Sequence, residues 1–327
     1  MSAATLRALV AEAMLAPSVH NVQPARWRIV NDEVLDLFED VTTRLSVGDP
    51  RGNDAGISLG AAAEGLRLAA SRRGLAVERR DTPPRSDDRL VPIARFVLRP
   101  TSTPADALAG QVEKRGSWRG DFAAVGAPDR VAALGLAGAD SAVATEPDQL
   151  ADAARIFDAA SYGFIRDGAF RGELRSWMRF TRRHPRWDRD GLNAAAMALG
   201  RIEAVGAAVV LGPGFGLLDR IGVAASLLAE GKKIVGAAGL VVFHRPAAET
   251  PFDSGAAFYR LWLRIEAAGF GAAVLAALAD DPAAAEQIAA MTGVPSGHRI
   301  VSAFRIGRRP AGATVGRARR LLDEVLI

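Results

Sequence analysis

The pattern that most constrains this chain occurs twice. Gly60-Ala61-Ala62 is followed by Leu66, Leu68 and Gly74, and Gly255-Ala256-Ala257 by Leu261, Leu263 and Gly269 at the same offsets. After a variable segment each copy leads to a β-type run ending in Arg-Pro: ARFVLRP closes at Pro100 and AFRIGRRP at Pro310. Self-similarity at matched offsets is the signature of repeated architecture, so two related halves are expected in one chain. The bland alternative is chance, because Ala, Gly and Leu are common in helices; the second correspondence weighs against it. A pocket between two unlike halves would keep one site where a symmetric pair keeps two.

At 327 residues the chain exceeds the usual single core and fits two domains or one double module. Hydrophobic residues at 49% and charged residues at 24% exclude a disordered chain and allow a sizeable core. The excess of basic residues is modest, 41 Lys plus Arg against 37 Asp plus Glu, although the isoelectric point is about 10. The arginines are scattered and no basic helix interleaves with aromatics, so a nucleic-acid binder would rest on charge alone. The local clusters are more informative: Lys114 to Arg119, Arg179 to Arg189, Arg305 to Arg309 and Arg317 to Arg320. A guanidinium presents a fixed fork of donors to phosphate or carboxylate, so one cluster is expected to face an anionic ligand.

Cysteine is absent, which removes disulfides, thiolate metal sites and thiol nucleophiles. Redox chemistry here would need a cofactor. Arg7 and Glu12 break the apolar run an export signal needs, while Leu6, Leu9, Val10, Ala13 and Met14 mark one face of a helix. The uncharged stretch Val205 to Leu218 is stopped by Asp219 and Arg220 before it could span a bilayer. No membrane contact and a cytoplasmic location are expected.

The first helix should stop before Pro17. In RWRIV, Trp27 and Ile29 alternate with Arg26 and Arg28, as in a half-buried strand, and Asn31-Asp32-Glu33 reads as a turn into VLDLFED. A helix over about 57–73 and strands near 76–80 and 91–98 complete a first half spanning 1–100, with PTSTP as linker. The second half, 105–327, opens with a helix near 105–114; helical patterning runs from about 148 to 180, and GLVVFH and SAFRIG are strands. The polar TRRHPRWDRDG and the glycine-rich stretch after it have no counterpart in the first half. They are expected to form a lid-like insertion at about 180–230.

Four histidines, His20, His184, His244 and His298, are too dispersed for a metal site. LGPGFG lacks the Lys and hydroxyl of a phosphate-binding loop and reads as a turn. In PSVHNVQP, Ser18, Asn21 and Gln23 place three hydrogen-bonding side chains on one loop pinned by Pro17 and Pro24. Such a loop can grip the polar edge of a flat heterocycle, or simply cap its own backbone. KRGSWRGDF sets Arg115 and Arg119 four apart around Ser117, able to converge on a phosphate or to stand as a solvated helix end.

Taken in order, APSVHNVQPARWRI, RGSWRGDF, GAAFYRLWLRIEAAGFG and TGVPSGHRIVSAFRIGRRP with RARRLLDEVL resemble four segments of the nitroreductase family of FMN flavoproteins. The pattern is closest to its Acg-like branch, in which two fused halves imitate the usual dimer. Two departures stand out: Ala25 and Arg26 intervene before Trp27, and Gly116 replaces the second Arg of an Arg-Arg pair. The resemblance implies an α+β, internally duplicated nitroreductase-like fold of mostly antiparallel sheets packed by helices, with one FMN site in a monomer acting as a pseudo-dimer.

It further implies that Arg115, Ser117 and Arg119 hold the ribityl phosphate and pyrimidine edge, that Arg317 or Arg319 completes the phosphate site, and that Ser18, Asn21 and Gln23 reach in from the first half. Phe270 and Gly271 would line the ring. The implied activity is hydride transfer from NADH or NADPH through FMN to a small-molecule acceptor such as a nitroaromatic or quinone, with the flavin rather than a protein acid or base performing the hard step. The alternative within the same resemblance is a protein that sequesters FMN with little turnover; a structural protein without flavin is a third.

Overall fold

A computed structural model describes residues 1–82 and 88–327. The first half builds an antiparallel sheet from β1 (Ala25–Ile29), β2 (Val34–Asp40), β3 (Leu75–Arg80) and β4 (Leu90–Pro100), in the order β1-β2-β4-β3. Helix α1 (Ala3–Ala13) precedes it, and α2 (Asn53–Ser71) lies between β2 and β3. Ser2 caps α1 by accepting from the Thr5 N–H, and Leu6, Leu9, Val10 and Ala13 are buried, the face the periodicity predicts.

The second half carries α3 (Ala127–Leu134), β5 (Ser141–Ala144), α4 (Pro147–Arg166), α5 (Gly168–Ser176), and a two-residue parallel pairing of β6 (Met178–Arg179) with β7 (Leu192–Asn193). Short helices α6 (Arg201–Val210), α7 (Phe215–Arg220), α8 (Ala224–Leu228) and α9 (Gly231–Val235) lead to β8 (Gly239–Pro246) and α10 (Pro251–Ala267). Then come β9 (Gly271–Val274), α11 (Ala277–Asp280), α12 (Pro282–Thr292), β10 (His298–Gly307) and α13 (Leu322–Val325). Its antiparallel sheet has the order β5-β8-β10-β9. Both sheets therefore place the strand that follows the long helix at an edge, beside the last strand in sequence. The architecture is α+β.

Helices α2 and α10 cross where Gly60 meets Gly255. A Cβ on Gly60 would lie 1.9 Å from the Phe252 carbonyl oxygen, and one on Gly255 would lie 2.2 Å from that of Ile57. Backbone packs directly on backbone, and each helix gives a face to the other half's core. Tyr259 and Leu263 of α10 join Trp27, Leu37, Leu66 and Phe96, whereas Ile57 of α2 joins Phe243, Phe258, Trp262 and Phe304. The C-terminal tail also returns to the first sheet: the Ile327 N–H donates to the Trp27 carbonyl at 2.9 Å, and Val325 is buried in the first core.

Several local expectations change. Arg26, expected on a solvent face, is buried because Asp40 pairs with it at 2.8 Å and the Gln23 and Ala25 carbonyls accept from it. The helix expected over 105–114 is a single 3-10 segment, Ala107–Gln111, begun by the Asp106 cap. The patterning over 148–180 is split at Asp167, whose carboxylate accepts from the Phe170 N–H and starts α5. Strand β5, a bare SAVA, has no sequence signal; pairing with β8 creates it.

Gly60→Ala or Gly255→Ala should push the two helices apart and lower stability by about 1–3 kcal/mol or more. Gly206→Ala, at an exposed α6 position with nothing near its Cβ, should raise it by about 0.5–1 kcal/mol. Urea melts of the three variants check both signs.

Candidate functional site

A cavity of about 370 Å³ opens among segments from both ends and the middle of the chain, within the range of small-molecule sites. Its walls come from the loop Pro17 to Asn21, the start of α2 (Asp54, Ile57, Ser58), the middle of α10 (Phe258, Trp262), the segment Arg115 to Arg119 and the tail Val315 to Arg319. The roof is apolar and lies partly earlier in the chain than the expected insertion. Phe157, Phe164, Phe170 and Leu174 of α4 and α5 supply it together with Leu192 and Met197, while α6 and α8 contribute no lining. Glu173 of α5 latches that roof to the first half, accepting from the Gly48 N–H at 2.7 Å and the Val47 N–H at 3.1 Å.

The loop holds non-glycine residues in left-handed backbone: His20 at φ 41°, Asn21 at 56° and Gln23 at 54°. Such conformations cost of order 1 kcal/mol each and persist only where surroundings over-determine them. Here they do. The Asn21 amide donates to the Gly191 and Ala318 carbonyls and accepts from Arg319 at 2.9 Å. Gln23 donates to the Arg189 carbonyl at 2.8 Å and accepts from the Arg320 N–H. Asp190, buried nearby, is bound by Arg179, Arg186 and Arg320 together.

The segment bearing Ser117 and Arg119 is pinned to the second sheet. The Trp118 N–H donates to the Ala272 carbonyl of β9 at 2.7 Å, and buried Arg305 of β10 reaches the Gly120 carbonyl at 3.1 Å. Burial lowers the Arg305 pKa to about 10, which leaves it charged at neutral pH.

Of the residues expected at a cofactor site, Ser18, Asn21, Arg115, Ser117, Arg119, Arg317 and Arg319 line this one cavity. Three do not. Gln23 faces the backbone just described, Phe270 is buried in the second core under the Arg308 guanidinium, and Gly271 lies in β9 where a Cβ would collide with Arg309 and Trp118. Val274 and Ala276, a few residues on, line the cavity instead.

The cavity arginines also differ in what they hold. Arg319 donates to the carbonyls of Met14, Leu15, Ala16 and Ala318, clamping the end of α1; burial, with Arg115 and Arg317 nearby, lowers its pKa to about 9. Arg317 donates to the carbonyls of Glu113 and Arg115. Arg115 donates to the Leu15 carbonyl and lies 4.8 Å from the Trp262 ring, with its Nε unpartnered. Arg119 makes a single long contact, 3.4 Å to the Ala196 carbonyl, and burial lowers its pKa. Arg119 is the cavity cation with most donors to offer.

Three cavity residues were not singled out from sequence. His20 is held neutral, its pKa lowered to about 4 by burial and then by Arg119, and its Nδ1 has no partner. Asp54 and Asp280 are both pushed upward by burial and by neighbouring carboxylates, Asp49 among them. Asp54 reads in sequence as an ordinary acid in a helix's first turn, and Asp280 as part of a capping run; only the fold puts them on one wall.

No protein-family model matches the chain, and no curated protein matches it. Solved structures do. The solved structures similar to this chain include nitroreductases and a related flavoprotein. The nitroreductase with bound FMN of Bacteroides fragilis shares 14% identity at a TM-score of 0.34, over 64% of this chain and 92% of its own. The FMN-dependent nitroreductase of Mycobacterium smegmatis in complex with NADPH shares 18% at 0.37, over 65% and 94%. A BluB-like flavoprotein of Clostridium difficile shares 13% at 0.35, over 68% and 98%. Among the described residues no helix is long and apolar enough to cross a membrane.

The raised pKa values of Asp54 and Asp280 make a stability prediction. A carboxyl whose folded pKa exceeds its unfolded value of about 4 costs more stability as pH rises above that unfolded value. Asp54→Asn should therefore raise the melting temperature, by about 2–4 °C per kcal/mol relieved, and by more at pH 8 than at pH 5. Thermal melts at the two pH values check it.

Proposed function

We propose that the chain is an FMN-dependent oxidoreductase that takes hydride from NADH or NADPH and delivers it to a small-molecule acceptor of the nitroaromatic or quinone kind. The observation that carries this reading is the meeting of two sequence-distant segments, Ser18 to Asn21 and Arg115 to Arg119, on one cavity of cofactor size. The residues present suit the group. Arg119 has free donors, Ser117 adds a hydroxyl, the Arg115 Nε is an orphaned donor, and aromatic walls match a flat ring.

In this reading Arg119 and Ser117 bind the phosphate and polar edge, with Arg115 set by Trp262 and the Leu15 carbonyl. Arg317 supports the segment from behind through the Arg115 carbonyl, and Arg319 holds the Ser18 to Asn21 loop rather than the phosphate. Bound FMN would supply two-electron transfer between the nicotinamide and the acceptor. Phe157, Phe164 and Phe170 exclude water from above.

The equal strand orders and the Gly60 to Gly255 crossing favour the further reading that the chain is a fused pair of halves, 1–100 and 105–327, a monomer serving as its own pseudo-dimer in the cytoplasm. One feature favours the alternative of an FMN store with little turnover: the Glu173 latch keeps the roof on the first half.

Purified protein should show a flavin absorption spectrum, and Arg119→Ala should weaken FMN binding about tenfold or more, the loss of one charge-assisted contact. NADPH added without oxygen should bleach the yellow colour. Persistent colour in the wild type, with bleaching in Glu173→Ala, would select the store; a colourless protein that fails to bind added FMN overturns both.

A further inference from the structure

The stretch from Val205 to Leu218, uncharged in sequence, has a feature that the cofactor reading does not use. Helix α6 is apolar on two opposite sides. Ala204, Ala207, Ala208 and Leu211 are buried or half-buried, while Ile202, Val205, Gly206 and Val209 recur at the same helical spacing on the side left to solvent, with Ile202 89% and Val205 64% exposed. A helix apolar all round belongs in a core or against lipid. The pattern continues: α7 packs against both α6 and α8, and Leu217, Ile221 and Leu227 are each more than half exposed. Of the large apolar side chains exposed among the described residues, more than half lie between positions 202 and 235.

The segment is fastened to the helices beneath it. Asp158 of α4 accepts from the Glu230 and Gly231 N–H groups at 2.9 and 3.0 Å, the Tyr162 hydroxyl of α4 donates to Asp219, and the Arg171 guanidinium of α5 lies 3.9 Å from the Phe215 ring. The helices that carry it also roof the cavity through Phe157, Phe164 and Phe170. Single exposed apolar side chains are ordinary, but a cluster of them marks a surface that meets a partner.

Charge selects the partner. Each acid of the segment is already engaged: Glu203 accepts from the Gly200 N–H at 2.6 Å, Asp219 binds Tyr162 with Arg166 at 3.5 Å, and Glu230 pairs with Lys233 at 2.8 Å. Arg201, Arg220 and Lys232 stand exposed with no carboxylate partner among the described residues. A second copy of the chain would set one fringe of free cations against another. Protein interfaces draw much of their energy from Trp, Tyr and Arg, with Leu and Val under-represented. Here the exposed apolar side chains are all aliphatic, and Phe215, the one aromatic residue of 201–235, is buried. Aliphatic side chains fringed by unpaired cations match a bilayer surface with anionic headgroups.

We propose that the outer face of α6 to α8 docks the protein on a bilayer containing anionic lipid, with Ile202, Val205, Val209 and Leu217 entering the acyl boundary and Arg201, Arg220 and Lys232 meeting the headgroups. The contact is peripheral, since no described helix is long and apolar enough to cross a membrane. The expectation of no membrane contact rested on the lack of a spanning segment, which docking of this kind does not need. The inference goes beyond the oxidoreductase reading and does not depend on it.

Flotation of the full chain with phosphatidylcholine vesicles, with and without phosphatidylglycerol, tests this at low and high salt. The wild type should bind the phosphatidylglycerol vesicles about tenfold or more tightly than the neutral ones and lose that preference at high salt. Ile202→Gln with Val205→Gln, which removes apolar surface without changing charge, should weaken binding about tenfold or more, with thermal melts matching wild type. Arg201→Gln, Arg220→Gln and Lys232→Gln together should erase the preference for anionic lipid. Wild type that binds neither vesicle, or binds both equally, overturns the inference. So does binding that Ile202→Gln with Val205→Gln leaves intact, which would reduce it to attraction of a basic chain for anionic lipid. A dimer in sedimentation velocity that the same pair dissociates would assign the face to a second copy and overturn it as well.

Discussion

Contact between the backbones of α2 and α10 at Gly60 and Gly255 is the constraint on which the rest of the structure depends. Without a side chain at either position, the two helices come close enough for each to enter the core beside the other's sheet, so the two sheets share a continuous interior. The same crossing orients the cavity wall. Asp54, Ile57 and Ser58 lie just before Gly60 on α2, and Phe258 and Trp262 lie just after Gly255 on α10. Small residues at the crossing thus determine which side chains face each other across the site.

Arginine organises what the helices position. In the interior its fork serves backbone carbonyls as often as carboxylates: Arg319 holds the end of α1, Arg317 the Arg115 segment, and Arg305 the Trp118 to Gly120 turn. These interactions fix loops that have no regular ladder to satisfy their carbonyls. Because these arginines are engaged by backbone, Arg119 is the cavity arginine left with most donors to offer.

The strained loop links the two themes. His20, Asn21 and Gln23 adopt left-handed backbone because Arg319, Gly191, Ala318 and Arg189 hold their side chains and neighbours from sequence positions far away. The loop's polar pattern was legible, since Ser18, Asn21 and Gln23 stand out between two prolines. The use of each side chain was not. Asn21 and Gln23 serve the protein's own backbone, and His20, one of four histidines too dispersed for a metal site, is the residue whose ring nitrogen is left without a partner.

Read alone, the sequence determined the long helices, most of the strands and the loop and arginine segments that line the cavity, because apolar periodicity and polar clusters between prolines are local signals. Strand β5, the burial of Arg26, the roof from α4 and α5 and the displacement of Phe270 and Gly271 from the lining were decided by tertiary structure. Each depends on a partner more than ten residues away in the chain: β8 for β5, Asp40 for Arg26, the Val47 and Gly48 backbone for Glu173, and Arg308 and Arg309 for Phe270 and Gly271. Asp54 and Asp280 are the furthest case: two acids far apart in the chain that look like ordinary helix-end residues line one cavity only once the chain has folded.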